Sequence, residues 1–207
     1  LGVVVAIGGF LVTPQLIVGA PFESTMGPVQ KIFYFHVPTA WLLFLSTFVC
    51  AGGSIAYLFK SSARGDRVAA AAGELGVLFG LCALVTGPLW ARVAWGTYWQ
   101  WDARLTSTLL LWLVMVAYLV ARRYGGLSGR KLAAALALFA GANVPLVYVS
   151  VKIWRTIHPK TSVVPTLQKE MALPFLVSML LLTVLWAILF ALRVRLERLR
   201  ADLDAAA

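Results

Sequence analysis

His36 and His158 are the only imidazoles in this chain of 207 residues. Between them runs WGTYWQWDARLTS, Trp95 to Ser107, which gathers Trp95, Tyr98, Trp99 and Trp101 around Asp102 and Arg104. If this stretch is helical, Trp95, Tyr98, Trp99 and Asp102 share a face at i, i+3, i+4 and i+7; if it is extended, Trp99 and Trp101 share one instead. Either conformation makes an aromatic platform. A belt of Trp and Tyr at a membrane surface accounts for two or three of these rings, but not for a carboxylate and a guanidinium set among them. Flat rings between two imidazoles, bordered by cations, suit a large planar apolar ligand with a metal at its centre and carboxylates at one edge. Lys152, Arg155 and Lys160 flank His158; such carboxylates, a solvated loop and an acidic partner account for them equally well.

The elements that must position these residues are membrane helices. The sequence is 61% hydrophobic and 13% charged, and its mean hydropathy is +0.86, too apolar for an ordinary water-soluble domain. Six apolar segments, about 1–20, 39–59, 73–91, 106–121, 132–151 and 172–192, are each long enough to approach the roughly 20 residues a bilayer requires. The expected fold is therefore all-α, a six-transmembrane-helix bundle over residues 1–192 followed by a C-terminal tail over 193–207. The first segment reads as a transmembrane helix rather than a signal peptide. Lys60–Arg67, Arg122–Lys131 and the tail hold eleven of the eighteen Lys and Arg residues. By the positive-inside rule both termini are cytoplasmic, and the outer loops are about Ala20–Pro38, Arg92–Leu105 and Val151–Met171. Both histidines and the aromatic stretch then lie on the outer face. Glu74 is expected near the start of the third helix, where a carboxylate favours the helix N-terminus.

Several function classes are excluded. The formal charge of +10 sits at the ends of apolar runs and forms no basic face for nucleic acid. Cys50 and Cys82 are in no CxxC or CxxCH arrangement, so neither thioredoxin-like chemistry nor covalent haem attachment is expected of this chain. No GxxxxGK[ST] occurs, and any ATP-driven step needs another subunit. Asn143 and Pro145 fall within the fifth helix as a satisfied amide and a kink, and Gly52–Gly53 reads as a helix contact.

WGTYWQWDARLT resembles the tryptophan-rich WWD signature of a family of haem-handling membrane proteins, and its ending, WDARLT, is similar to that of the CcmC branch, in cytochrome c maturation. The resemblance covers nearly the whole chain, with FYFHVPTAW before the second helix and VKIWRTIHP after the fifth. Tyr98 stands where the family pattern usually has Trp, and a stacking ring is kept. The resemblance implies axial ligation of non-covalent haem b by His36 and His158. Trp95, Tyr98, Trp99 and Trp101 would then bear the porphyrin, with the signature loop spanning 92–107. Asp102 would fix the loop, Arg104 would reach a propionate or a partner, and Trp154 and Arg155 would border the pocket. It implies a location in the bacterial inner membrane and, besides membrane lipid, the partners CcmE, a periplasmic haem chaperone, and CcmA, CcmB and CcmD. No catalytic acid–base pair is evident, which favours a presenting platform over an enzyme. The alternatives are a transporter moving haem through its own bundle and a structural subunit that only docks a partner.

Overall fold

The computed structural model describes residues 2–23, 26–159 and 164–206. Six α-helices account for most of them: α1 (Gly2–Gly19), α2 (Phe33–Lys60), α3 (Ala63–Trp95), α4 (Ala103–Tyr124), α5 (Gly126–Ile153) and α6 (Lys169–Ala206). Short 3₁₀ turns, Pro28–Ile32 and Val164–Thr166, precede α2 and α6. There is no strand among the described residues, only an isolated bridge between Glu23 and Gly27. Five helices, α2 to α6, are long and apolar enough to cross a membrane; α1 is a shorter apolar helix of 18 residues. The bundle's outer surface is apolar in the same way, with Leu78, Leu113, Phe139 and Leu180 all exposed. The chain is an integral membrane protein.

The connections follow from local chemistry. Ser61 takes a left-handed conformation that closes α2, and the Ser62 side chain accepts the Gly65 N–H at 3.0 Å to open α3. The α2–α3 hairpin therefore needs only two linking residues. Asp102 caps α4 by accepting the Leu105 N–H at 2.8 Å. Such a cap satisfies one of the donors that every helix start leaves without a backbone partner.

α2 and α3 form the most extensive pair; α5 packs on α2 and α4, and α6 on α1, α2 and α3. Small residues make the close approaches. A core of Ala69, Ala72, Ala133, Ala137 and Ala140 surrounds Leu111 and Met115 where α2 to α5 meet. A second cluster joins Leu42, Leu75 and Phe79 to Leu182 and Trp186 of α6, with the Trp186 N–H donating to Ser46 Oγ at 2.7 Å. Pro38, Pro88, Pro145 and Pro174 lie in α2, α3, α5 and α6, each about two turns from the same end of the bundle. Each removes a backbone hydrogen bond there. At the other end, buried Asp66 takes a two-nitrogen contact from Arg122, with Arg130 at 3.8 Å.

Helix boundaries differ from the expectation, and α5 starts at Gly126, about six residues early. α2 begins at Phe33, so His36 is helical and not in a loop: the 3₁₀ turn before it feeds directly into α2, and the Thr39 hydroxyl bonds the His36 carbonyl at 2.9 Å beside Pro38. α3 begins ten residues earlier than its apolar run, which makes Glu74 a mid-helix residue paired with Arg193 of α6 instead of a helix-start carboxylate. Residues 193–206 continue α6 without a break, because Glu197 bridges Arg193 at 3.3 Å and Arg200 at 3.0 Å along its surface.

Gly53 and Gly52 make the α2–α3 contact testable. A Cβ on Gly53 would lie 2.6 Å from the Gly65 carbonyl oxygen and 2.8 Å from the Ala69 nitrogen, both backbone, whereas one on Gly52 meets nothing within 4 Å. Gly53→Ala is expected to cost about 1–3 kcal/mol through overpacking. Gly52→Ala should stabilise by roughly 0.5–1 kcal/mol through helix propensity. Thermal unfolding of both variants in detergent checks the opposite signs.

Candidate functional site

At the proline-bearing end of the bundle, α2, α3 and α4 bring His36, Trp90 and Arg104 around the loop residue His158. His36 sits in the first turn of α2, and its Nδ1 lies 3.0 Å from the Thr86 hydroxyl of α3. That hydroxyl has one proton and donates it to the Cys82 carbonyl at 2.7 Å. With the proton on that shorter contact, its oxygen accepts from His36, an arrangement that puts the imidazole proton on Nδ1 and leaves the Nε2 lone pair open. The ring can lie against α3 because residue 87 is glycine; a Cβ there would be 3.1 Å from His36 Cε1. Trp90 meets the same ring edge-on at 5.9 Å, and its N–H goes to Met26 Sδ at 3.2 Å.

His158 reaches the same state by another route. Its Nδ1 lies 2.9 Å from the Pro159 carbonyl, which can only accept, so the proton again sits on Nδ1 and Nε2 is bare. Burial, with the charge of Arg104 nearby, pushes the His158 imidazole down to about 4, so it is neutral at physiological pH. Asp102 holds the segment that carries it. One carboxylate oxygen caps α4, and the other accepts from Thr156 Oγ1 at 2.5 Å and from the Ile157 N–H at 3.1 Å. Thr156 Oγ1 in turn accepts the His158 N–H at 3.0 Å.

Two cavities share this wall. The larger, about 560 Å³, lies between α2, α5 and α6, with Phe44, Tyr148 and Phe175 among its rings. The smaller, about 70 Å³, lies between α2, α3 and α4 and reaches Trp95, Tyr98 and Trp99. His36, His158, Arg104, Phe44 and Trp90 line both. The larger falls within the roughly 300–1,000 Å³ of small-molecule and cofactor pockets, and it is walled mainly by apolar groups with a few polar ones, as such pockets are. The Arg104 guanidinium donates to the Val147 carbonyl and lies 5.9 Å from the Phe44 ring, and no other hydrogen bond to it is formed among the described residues. Most of its five N–H donors are thus available to a carboxylate. Trp99 Nε1 is buried in the same wall without a partner.

The profile of the family described as Heme exporter protein C, CcmC, matches residues 1–207. The chain belongs to the CcmC family. Among similar proteins, the Heme exporter protein C of Bradyrhizobium diazoefficiens is 37% identical over 187 residues, covering 87% of this chain and 71% of that protein. A protein of Arabidopsis thaliana, named as a putative cytochrome c biosynthesis ccmC-like mitochondrial protein, is 33% identical over 180 residues, 86% of this chain and 69% of its own. The Heme exporter protein C of Haemophilus influenzae is 30% identical over 192 residues, 88% and 77% of the two chains.

In this CcmC-family chain the signature stretch is neither wholly helical nor wholly extended. Trp95 is the last residue of α3 and stacks on Trp90 at 6.3 Å; Gly96, at φ 76°, ends the helix, and the irregular part runs only from Gly96 to Asp102. A left-handed residue is needed to turn the chain there, which glycine adopts without a Cβ clash. Trp95, Tyr98, Trp99 and Arg104 join the histidines at the cavities. Trp101 does not: it is 77% exposed, held edge-on to Trp99 at 5.7 Å. Trp154 and Arg155 are exposed and line neither cavity, and Lys152 lies over the Tyr148 ring at 5.6 Å. Lys160 lies outside the described residues. Trp41 lines the larger cavity. Thr86, Gly87, Trp90 and Phe44 were not singled out by sequence, since inside apolar helices their types and spacing resemble ordinary packing.

Two outcomes follow. Asp102→Ala removes a cap usually worth about 0.5–2 kcal/mol and frees the Thr156–His158 turn, so amide exchange at Ile157 and His158 should rise well above that in α6; Asp102→Asn should be milder. The second concerns pH: the folded-state value for His158 is lowered from 6.5 to about 4, so the unfolded chain binds the extra proton between these values. Stability is complete above pH 6.5 and falls as pH drops toward 4. In His158→Gln, unfolding midpoints followed against pH should fall less steeply across that window.

Proposed function

We propose that this chain binds haem b between His36 and His158 at the outer face of the bacterial inner membrane, with both termini cytoplasmic. There it presents the haem to the periplasmic chaperone CcmE during cytochrome c maturation, in a complex with CcmA, CcmB and CcmD. The observation that carries the reading is the pair of imidazoles lining the same two cavities, each with its Nδ1 in a hydrogen bond and with no hydrogen bond to Nε2 among the described residues. Neutral imidazole with one nitrogen oriented by a neighbour is the form that ligates iron. Arg104 and the Trp99 N–H are free to meet propionate oxygens, and Trp90, Trp95 and Phe44 supply ring surface. Haem contributes the iron that the two nitrogens hold; the chain's residues bind, orient and exclude water. Trp101, exposed and propped on Trp99, is then a ring offered to the acceptor protein. The names of the similar proteins, heme exporter and cytochrome c biosynthesis protein, point the same way.

The orientation is supported by charge. Arg64, Arg67, Arg122, Arg123, Arg130 and the arginines of 193–200 all sit at the end away from the histidines, as the positive-inside rule requires of the cytoplasmic end. The carboxylates at that end, Asp66 and Glu74 of α3 and Glu197 of α6, are paired with Arg122 of α4 and Arg193 of α6, and all lie at that one end, so they make no polar track along the bundle such as a haem transporter would need.

Absorbance of the purified chain in the Soret region, with haem supplied, tests this reading. A low-spin bis-imidazole spectrum is expected, weakened in His36→Ala and in His158→Ala, partly restored by added imidazole, and lost in the double variant. Trp99→Ala should lower haem retention more than Trp99→Phe does, by about the 0.5–1.5 kcal/mol of an aromatic pair. Trp101→Ala should lower transfer to CcmE more than retention, and Trp186→Ala should spare both. Unchanged spectra in both single histidine variants would falsify the ligation.

A further inference from the structure

The end of the bundle opposite the histidines holds another cavity, about 760 Å³, with a lining more polar than apolar. Arg67, Arg122, Arg123, Arg130 and Arg200 line it, against the carboxylates Asp66, Glu74 and Glu197. The carboxylates are already taken. Asp66 is held by Arg122 and Arg130, Glu74 by Arg193, and Glu197 by Arg193 and Arg200. Arg67 of α3 and Arg123 of α4 form no ion pair or hydrogen bond among the described residues. The cavity therefore carries positive charge that the protein does not neutralise.

Directly beyond Glu74, α3 turns one face outward. Leu78, Leu81 and Val85 are 47%, 47% and 52% exposed and fall on one stripe at helical spacing. α4 and α6 both pack on α3 at either side of this stripe and scarcely touch each other. An apolar strip thus leads from the arginine cavity into the depth of the bilayer. A soluble anion would use the cavity and not the strip; a ligand with an anionic head and hydrocarbon tails uses both.

We propose that this end of the bundle is a binding site for an anionic phospholipid. The phosphate of the head group is held by Arg67 and Arg123, and the acyl chains lie along Leu78, Leu81 and Val85 between α4 and α6. Basic pockets among membrane helices recruit anionic head groups, each nearby cation adding on the order of 1 kcal/mol. The site is separate from the histidine cavities and does not depend on what they bind.

The test is native mass spectrometry of the detergent-purified full chain mixed with phosphatidylglycerol or with phosphatidylcholine of the same acyl chains. Phosphatidylglycerol adducts are expected to exceed phosphatidylcholine adducts by roughly thirtyfold, as two such cations would give. Arg67→Gln with Arg123→Gln should abolish the preference, Arg67→Lys with Arg123→Lys should largely keep it, and Arg198→Gln, whose side chain is 75% exposed and lines no part of the cavity, should leave it intact. Unchanged helicity of each variant by circular dichroism separates loss of the site from loss of the fold. Equal retention of the two lipids by the unmodified chain overturns the proposal, as does displacement of phosphatidylglycerol by inorganic phosphate at equal concentration.

Discussion

Where a histidine keeps its proton decides what it can bind. In this protein two unrelated contacts make the same choice: a threonine hydroxyl committed to Cys82 leaves only an acceptor for His36, and the Pro159 carbonyl leaves only an acceptor for His158. Each ring is left with its Nε2 lone pair. Everything else at that end of the bundle holds these two rings at one wall. Gly87 allows α3 to approach the His36 ring, Trp90 meets it edge-on, and Asp102 ties the turn before His158 to the start of α4. Asp102 thus serves two elements at once, as cap for α4 and as acceptor for the loop. Burial of His158 keeps it neutral, which preserves the lone pair.

The bundle is built so that this end differs from the other. Helices with prolines near one end give up backbone hydrogen bonds there, and that is where the apolar cavities lie. At the opposite end, ion pairs tie α3 to α4 through Asp66 and Arg122 and to α6 through Glu74 and Arg193. Removing one member of a buried pair leaves an uncompensated charge, so the Asp66–Arg122 pair fixes the register of α3 against α4 even where its net contribution is small. Between the two ends, α2 to α5 pack closely through Ala69, Ala72, Ala133, Ala137 and Ala140 around Leu111 and Met115.

Much of this was legible in the sequence, for physical reasons that can be named. Long apolar runs have one stable form in a bilayer, so the helical class followed from composition. His36, His158 and the residues from Trp95 to Arg104 stood out because polar and aromatic chemistry is sparse in such a chain. Helix ends were less legible. Apolar length marks the hydrocarbon span and not the hydrogen-bonded helix, which is why α3 begins ten residues before its apolar run and α6 continues to Ala206. The outer loop was expected to end at Pro38, yet α2 starts at Phe33 and runs through that proline with the loss of one backbone hydrogen bond, so His36 is helical. Trp101 could not be told from Trp95 and Trp99 by type; only the turn at Gly96 sends it outward. Thr86 and Gly87 had no signal at all, since their roles depend on a ring fifty residues away.

The central claim is that both Nε2 atoms reach one iron, and it can be measured without reference to transfer or to partners. The chain is prepared with ¹⁵N-labelled histidine, loaded with ferric haem, and studied by pulsed electron paramagnetic resonance. The account predicts hyperfine coupling from two labelled imidazole nitrogens on a low-spin iron, falling to one in His36→Ala and to one in His158→Ala. A loaded protein whose iron couples to a single labelled imidazole, or to none, would contradict it.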